Sequence, residues 1–194
     1  GNMNFVRASV PFMKRCRELC TQHGALLVFD EVMTGFRVAL GGAQSVYAKA
    51  IAGFRPDLTV MGKVIGGGMP LAAFGGPRAV MEHLAPLGPV YQAGTLSGNP
   101  VATAAGLAML RNADHAAVDA AAEQVIAMTD EALSAAGVAH VMQRAGNLFS
   151  FFFRADPVTN YDQAQDQDTA AFAAFHAAML DGGVSLPPSA FEAW

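Results

Sequence analysis

Two short apolar runs, each leading to a charge, constrain this chain more than anything else in it. Ala25-Leu-Leu-Val-Phe29 stops at Asp30, and Leu58-Thr-Val-Met61 leads through Gly62 to Lys63, with Gly66-Gly67-Gly68 close behind. Apolar runs this short, bounded by turn signals, suit buried strands of a parallel sheet. A stretch long enough for a helix lies between them, so they read as successive strands of an open α/β sheet. In such a sheet the carboxyl ends of the strands converge on the ligand crevice. An ammonium placed there is unfavourable without a partner or a task. Glycines beside it let the backbone turn sharply and approach a ligand closely.

A lysine and an aspartate meeting at strand ends suit pyridoxal-phosphate chemistry, the amine forming a Schiff base and the carboxylate pairing with the pyridinium nitrogen. Residue types alone leave other readings open. A phosphate loop also combines glycines and a lysine, but there the lysine follows the glycines and precedes Ser or Thr, whereas Lys63 comes before them. Lys63 can also be a snorkelling strand-end lysine and Asp30 a helix cap, the ordinary fate of such residues.

The 194 residues, 53% hydrophobic and only 14% charged, allow one or two domains with a substantial core. A formal net charge of −4 gives no electrostatic footprint for nucleic acid or an anionic membrane, so neither is expected as a partner. Gly, Pro and charges interrupt every apolar run before the ~20 residues of a membrane span, and no secretory leader is read. Cys16 and Cys20 share one face of an amphipathic pattern with Phe12, Met13 and Leu19. Without histidine partners they make a poor zinc site, so reduced thiols, no metal and a cytoplasmic location are expected. The chain opens Gly1-Asn-Met-Asn and closes Phe191-Glu-Ala-Trp194, and both ends read as cuts through a longer protein.

Along the chain, Val10 to His23 reads as a helix capped by Ser9 and stopped by Gly24. A loop follows from Met33 to Gly42, then a helix from Gln44 to Gly53, the strand ending at Lys63, a strand from Leu71 to Phe74 and a helical stretch from Ala79 to Ala85. Asn99-Pro100 starts a helix to about Leu110, and an Ala-rich one spans His115 to Ala135. Segments Val138–Gln143 and Leu148–Phe153 are β-type, Asp156 to Asp168 is a polar loop, Thr169–Leu180 is helical, and Val184–Leu186 follows. The alternation places residues 1–110 in a large, mostly parallel-sheet domain and residues 111–194 in a smaller, incomplete α+β domain.

Three strings then carry a resemblance: Phe29-Asp-Glu-Val-Met-Thr-Gly-Phe-Arg37, Gly62-Lys-Val-Ile-Gly-Gly-Gly-Met-Pro70 and Gly88-Pro-Val-Tyr-Gln-Ala-Gly-Thr-Leu-Ser-Gly-Asn-Pro100. The first two resemble the class III aminotransferases, of pyridoxal-phosphate fold type I. Met33 to Arg37 and Gln92 to Pro100 resemble in particular the aminomutase branch, which acts on an amino aldehyde, glutamate 1-semialdehyde. The likeness covers roughly the second half of the family's sequence.

By that resemblance Lys63 is the Schiff-base lysine, Asp30 the buried partner of the ring nitrogen, and Val32 the aliphatic residue on the ring face. Gly94 and Thr95 are similar to a loop that reaches the cofactor phosphate of the neighbouring subunit, which implies a homodimer with shared active sites. Glu192 resembles a carboxylate beside the substrate. The implied cofactor is pyridoxal 5′-phosphate, passing through its pyridoxamine form, and the implied reaction moves an amino group within one molecule to give 5-aminolevulinate. A class III ω-aminotransferase and a non-catalytic half are the alternatives. The chain departs from the family in lacking the half with the cis phosphate loop, the stacking aromatic and the gating loop. It also departs in carrying Trp194 where a glycine is expected.

Overall fold

The computed structural model describes residues 3–194 and divides into two units, Ser9–Asp114 and a second that joins residues 3–8 to His115–Trp194. The boundary expected near residue 110 falls at Asp114 because the helix before it runs on to Asn112.

In the first unit, α1 (Val10–Gln22) starts where Ser9 Oγ accepts from the Phe12 N–H at 3.2 Å, and Pro11 sits in the turn that has no need of its N–H. Gly24, at φ +63°, ends it. Met13 on its inner face packs with Ile51 and Phe54, joined by Leu27, Phe29 and Tyr47. Strands β1 (Val28–Asp30), β2 (Leu58–Met61) and β3 (Ala73–Gly75) lie side by side in that order, with α2 (Gly42–Ala50) crossing from β1 to β2. β1 and β2 are parallel, with Asp30 opposite Val60, while β3 runs antiparallel to β2, so this sheet is mixed. The short helix α3 (Arg78–Met81) follows. Asn99 then caps α4 (Pro100–Asn112), its Oδ1 accepting from Val101 N–H at 3.0 Å and Ala102 N–H at 3.2 Å.

The run from Ala25 to Phe29 is not a fully buried strand. Leu27 and Phe29 face the α1–α2 side, whereas Leu26 and Val28 are 52% and 53% exposed. Alternation along a strand explains this: one face is covered within the chain and the other is open.

In the second unit, α5 (His115–Ala135) packs with β5 (Leu148–Phe152), whose five residues are all buried, and β5 pairs antiparallel with β4 (Val141–Ala145). Phe149, Phe151, Phe153 and Phe172 form the core with Ile126 and Leu133. Trp194 packs against it, stacking on Phe175 at 5.9 Å and 3°, so the unexpected tryptophan has a structural seat.

β4 begins later than the expected Val138, because the Val138 N–H donates to Leu133 O and closes α5 instead. The polar loop contains a short helix, α6 (Tyr161–Gln165). Asn160 caps it through the Gln163 N–H, and it buries Ala164. α7 (Thr169–Asp181) starts on the Asp168 cap, and Val184 forms no strand because its N–H closes that helix onto Met179 O. Asn4, 1% exposed and at φ +68°, ties residues 3–8 to this unit: its amide donates to Phe151 O at 3.0 Å, its N–H donates to Phe191 O at 2.8 Å, and it accepts from Ser150 Oγ. Among the described residues no helix is long and apolar enough to cross a membrane.

Candidate functional site

β1 carries Asp30 to the carboxyl edge of the parallel pair, and one more ladder bond, Glu31 N–H to Val60 O at 2.8 Å, fixes the backbone there. The Asp30 carboxylate turns back on its own chain, its Oδ1 accepting from Val32 N–H at 2.9 Å. That local bond is the Asx geometry aspartate favours where a strand ends. It leaves Oδ2 as the oxygen that can meet a ligand.

β2 stops at Met61, so Lys63 is not the last residue of the strand. It opens a 3-10 turn, Lys63–Gly66, after the extended Gly62. Its φ is +48°, a left-handed conformation that an L side chain adopts at a cost of about 1–3 kcal/mol and that persists only where surrounding structure enforces it. The enforcing contacts come from α4. A Cβ on buried Gly106 would lie 2.6 Å from Leu71 Cδ2 and nearer still to the Ile65 carbonyl oxygen. One on Gly67 would lie 3.0 Å from Met109 Cβ. The turn is pressed into a notch that only a glycine leaves open. Gly62 shows the same economy on the other side, its absent Cβ falling 3.3 Å from Val32 Cγ1.

Asp30, Val32 and Lys63 therefore gather at one edge of the β1–β2 pair, Val32 half-buried between two exposed charged groups. The expected burial of Asp30 and Lys63 is not what the chain provides: both side chains lie on its open face. Gly94 and Thr95 are exposed in the loop before α4, where Ser97 N–H donates to Gly94 O at 2.9 Å. This loop and the β2–β3 strands border a groove of about 670 Å³ lined by Val60, Pro70, Phe74, Gln92, Gly94 and Ser97. Thr95 and Lys63 are not on its walls. Glu192 belongs to the other unit, exposed, with its N–H donating to Ser189 O at 3.2 Å.

Two residues carry more than their sequence context signalled. Glu31, 1% exposed, accepts from Ala43 N–H at 3.0 Å, from Gln44 N–H at 2.8 Å and from Thr34 Oγ1. The Gly41-Gly42 pair was the available hint, since a Cβ on Gly42 would lie 2.6 Å from the Glu31 carboxyl carbon. Arg37 is half-buried, and that burial lowers its pKa from the ordinary guanidinium value. At the opposite end of the pair, the Leu27 N–H at 2.7 Å and the Arg17 guanidinium at 2.6 Å hold the Asp57 carboxyl below its usual range. That cluster fastens α1 to the sheet and takes no part in the site.

The edge thus offers an amine on a strained turn, a carboxylate with one oxygen already fixed, an aliphatic surface, and a close backbone approach at Gly62. These fit a flat ligand with a carbonyl carbon for the amine and a protonated ring nitrogen for the carboxylate. Among the described residues no group of three His, Cys, Asp or Glu side chains is placed to hold a metal.

The sequence model of the class-III aminotransferases matches residues 1–189. A glutamate-1-semialdehyde 2,1-aminomutase of Paracidovorax citrulli is 63% identical over 100% of this chain and 45% of its own length, and one of a Polaromonas species is 62% identical over the same shares. The chain spans about half the length of the curated relatives it matches. Among solved structures, an omega-transaminase from Sphaerobacter thermophilus superposes with a TM-score of 0.86 at 33% identity, over 98% of this chain and 44% of that one. A glutamate-1-semialdehyde aminomutase from Pseudomonas aeruginosa in complex with PMP gives 0.79 at 26% identity, over 99% and 44%.

Proposed function

The chain belongs to the class-III aminotransferase family, and we propose that in the full-length protein it serves as a pyridoxal-phosphate-dependent glutamate-1-semialdehyde 2,1-aminomutase making 5-aminolevulinate for tetrapyrrole synthesis. The carrying observation is a contrast. Backbone likeness does not separate the candidate chemistries, since the omega-transaminase superposes at least as well as the aminomutase, with TM-scores of 0.86 and 0.79. Sequence supports the aminomutase reading, because curated aminomutases are about 60% identical along the whole chain, well above both the 33% of that transaminase and the 26% of the solved aminomutase.

In this reading Lys63 holds the cofactor covalently and, once released, carries protons between carbon atoms. Its exposed position at the head of the turn supports that role. Asp30 presents Oδ2 to the ring nitrogen while Val32 N–H fixes Oδ1, and an ion pair of that kind keeps the nitrogen protonated. The cofactor, when bound, supplies the electron sink and carries the amino group between substrate positions. Val32 packs on the ring face. Gly94 and Thr95 offer backbone and hydroxyl donors to the phosphate of a neighbouring subunit in a homodimer, and Glu192 orients the amino aldehyde substrate. The two half-buried thiols, Cys16 and Cys20, suit a reducing cytoplasm.

The rival is a two-substrate ω-aminotransferase with the same lysine and aspartate. The test is to supply full-length protein in its aminated form with glutamate 1-semialdehyde alone and measure 5-aminolevulinate. Multiple turnovers without any added amino donor or acceptor support the aminomutase. Strict dependence on a second amino acid or keto acid assigns the chain to the transaminases.

A further inference from the structure

Glu31 stands between two residues of the site, yet its side chain points away from them into the protein. Glu31 follows the last residue of β1 and is buried, whereas Asp30 before it is exposed and Val32 after it, at the start of the turn, is half-buried. Its carboxylate is engaged by three donors that belong to both ends of the 34–44 segment. Thr34 Oγ1 reaches it from the start of the loop, and the Ala43 and Gln44 N–H groups reach it at 3.0 and 2.8 Å from the first turn of α2. An anion on the first N–H groups of a nine-residue helix is where the helix dipole favours it. The backbone joins in, with Gly35 N–H donating to Glu31 O at 2.8 Å and Glu31 N–H donating to Val60 O at 2.8 Å.

Fit around the carboxylate is as tight as its bonding. A Cβ on Gly42, which sits at φ +69°, would fall 2.6 Å from the Glu31 carboxyl carbon. The loop also holds Phe36 at φ +63°, a strained conformation that needs fixed ends to persist. A buried carboxylate with one partner missing would be unfavourable, whereas with three charge-assisted bonds it is rigid. Rigidity here is transmitted over one peptide unit in each direction. Asp30 Oδ1 is positioned by Val32 N–H, so the pair on either side of Glu31 shares a single backbone setting.

We propose that Glu31 is a positioning residue: by clamping the segment 34–44 onto the start of α2 it fixes the backbone of Asp30 and Val32, and through them the placement and protonation of the cofactor ring. The proposal rests on the pyridoxal-phosphate reading of the Lys63–Asp30 edge. Glu31 touches neither cofactor nor substrate.

The test uses full-length protein and three measurements on Glu31→Gln and the milder Thr34→Val. These are hydrogen exchange at the Ala43 and Gln44 amides without cofactor, the dissociation constant for pyridoxal phosphate, and the pH midpoint of the bound cofactor's visible absorbance. The clamp predicts faster exchange in both variants and cofactor binding weaker by about tenfold for Glu31→Gln, a fold-change equivalent to ~1.4 kcal/mol, the scale of one hydrogen bond. It also predicts a midpoint displaced the same way in both variants, by less in Thr34→Val. If Glu31→Gln does not fold, Thr34→Val alone carries the comparison. Faster exchange or lower melting temperature with unchanged affinity and midpoint would reduce Glu31 to a fold-stabilising residue and overturn the proposal. Failure of the unmodified protein to bind pyridoxal phosphate would overturn the cofactor reading itself, and the proposal with it.

Discussion

Gly106→Ala is the substitution whose outcome the geometry determines most directly, because two opposing effects can be compared in magnitude. Alanine in the middle of α4 gains roughly 0.5–1 kcal/mol of helix propensity over glycine, which would stabilise an exposed helix. Here the new methyl would fall 2.6 Å from Leu71 Cδ2 and closer to the Ile65 carbonyl oxygen. Leu71 can change rotamer, but the carbonyl is backbone. Ordinary contact distances of about 3.5 Å require turn and helix to separate by roughly 1 Å. Overpacking of that kind costs about 1–3 kcal/mol, so the net effect is destabilising, by about 1 kcal/mol in the middle of the range. Catalysis is expected to suffer more than stability. Ile65 lies two residues from Lys63 in the same turn, and a 1 Å error in a reacting group lowers rate on the order of a hundredfold. Steady-state kinetics of the full-length variant beside its denaturant midpoint checks both expectations. A kcat/KM within about twofold of the parent would refute the claim that the α4 notch sets the lysine.

Lys63→Ala should abolish the borohydride-trapped adduct with pyridoxal phosphate, read by mass spectrometry of the digested full-length protein; an adduct surviving on another residue would move the attachment point. Asp30→Asn keeps the Val32 N–H acceptor and should leave folding intact; if Asp30 is the proposed charged partner of the ring nitrogen, the change should lower kcat on the order of a hundredfold. Near-normal turnover in that variant would give the strand-end carboxylate another role. Asp57, held low first by the Leu27 N–H and then by Arg17, contributes stability that is complete above its ordinary value of 3.8 and is lost as pH falls through the depressed one. Asp57→Asn should therefore lower the denaturant midpoint at pH 7 and flatten its decline below about pH 4; an unchanged acid limb would remove Asp57 from that role.

How much was legible beforehand varies with the range of the forces involved. The helix starts at Ser9 and Asn99 were readable because a cap is a local bond between a side chain and an N–H two or three residues on. The short helix after Asn160 was not, since five residues in a polar loop carry too little periodicity and its one buried anchor, Ala164, depends on neighbours from elsewhere. The late start of β4 and the absence of a strand at Val184 share a cause: each helix C-terminus took the next backbone N–H for itself.

For the site, residue types and spacing carried the candidate chemistry: a lysine and an aspartate after short apolar runs, glycines beside the lysine, and strings that resemble one aminotransferase branch. Those are properties of residue types and spacing, which the chain carries into any fold. How these residues are held depends on packing between distant parts of the chain. The left-handed turn at Lys63 exists because α4 presses on it, the notch at Gly106 matters because Ile65 O fills it, and Glu31 is a clamp because Thr34 and the first turn of α2 converge on its carboxylate. Such contacts join residues that no local pattern relates. Their strength comes from exclusion of water and from packing at atomic distance, which exist only once the chain has folded.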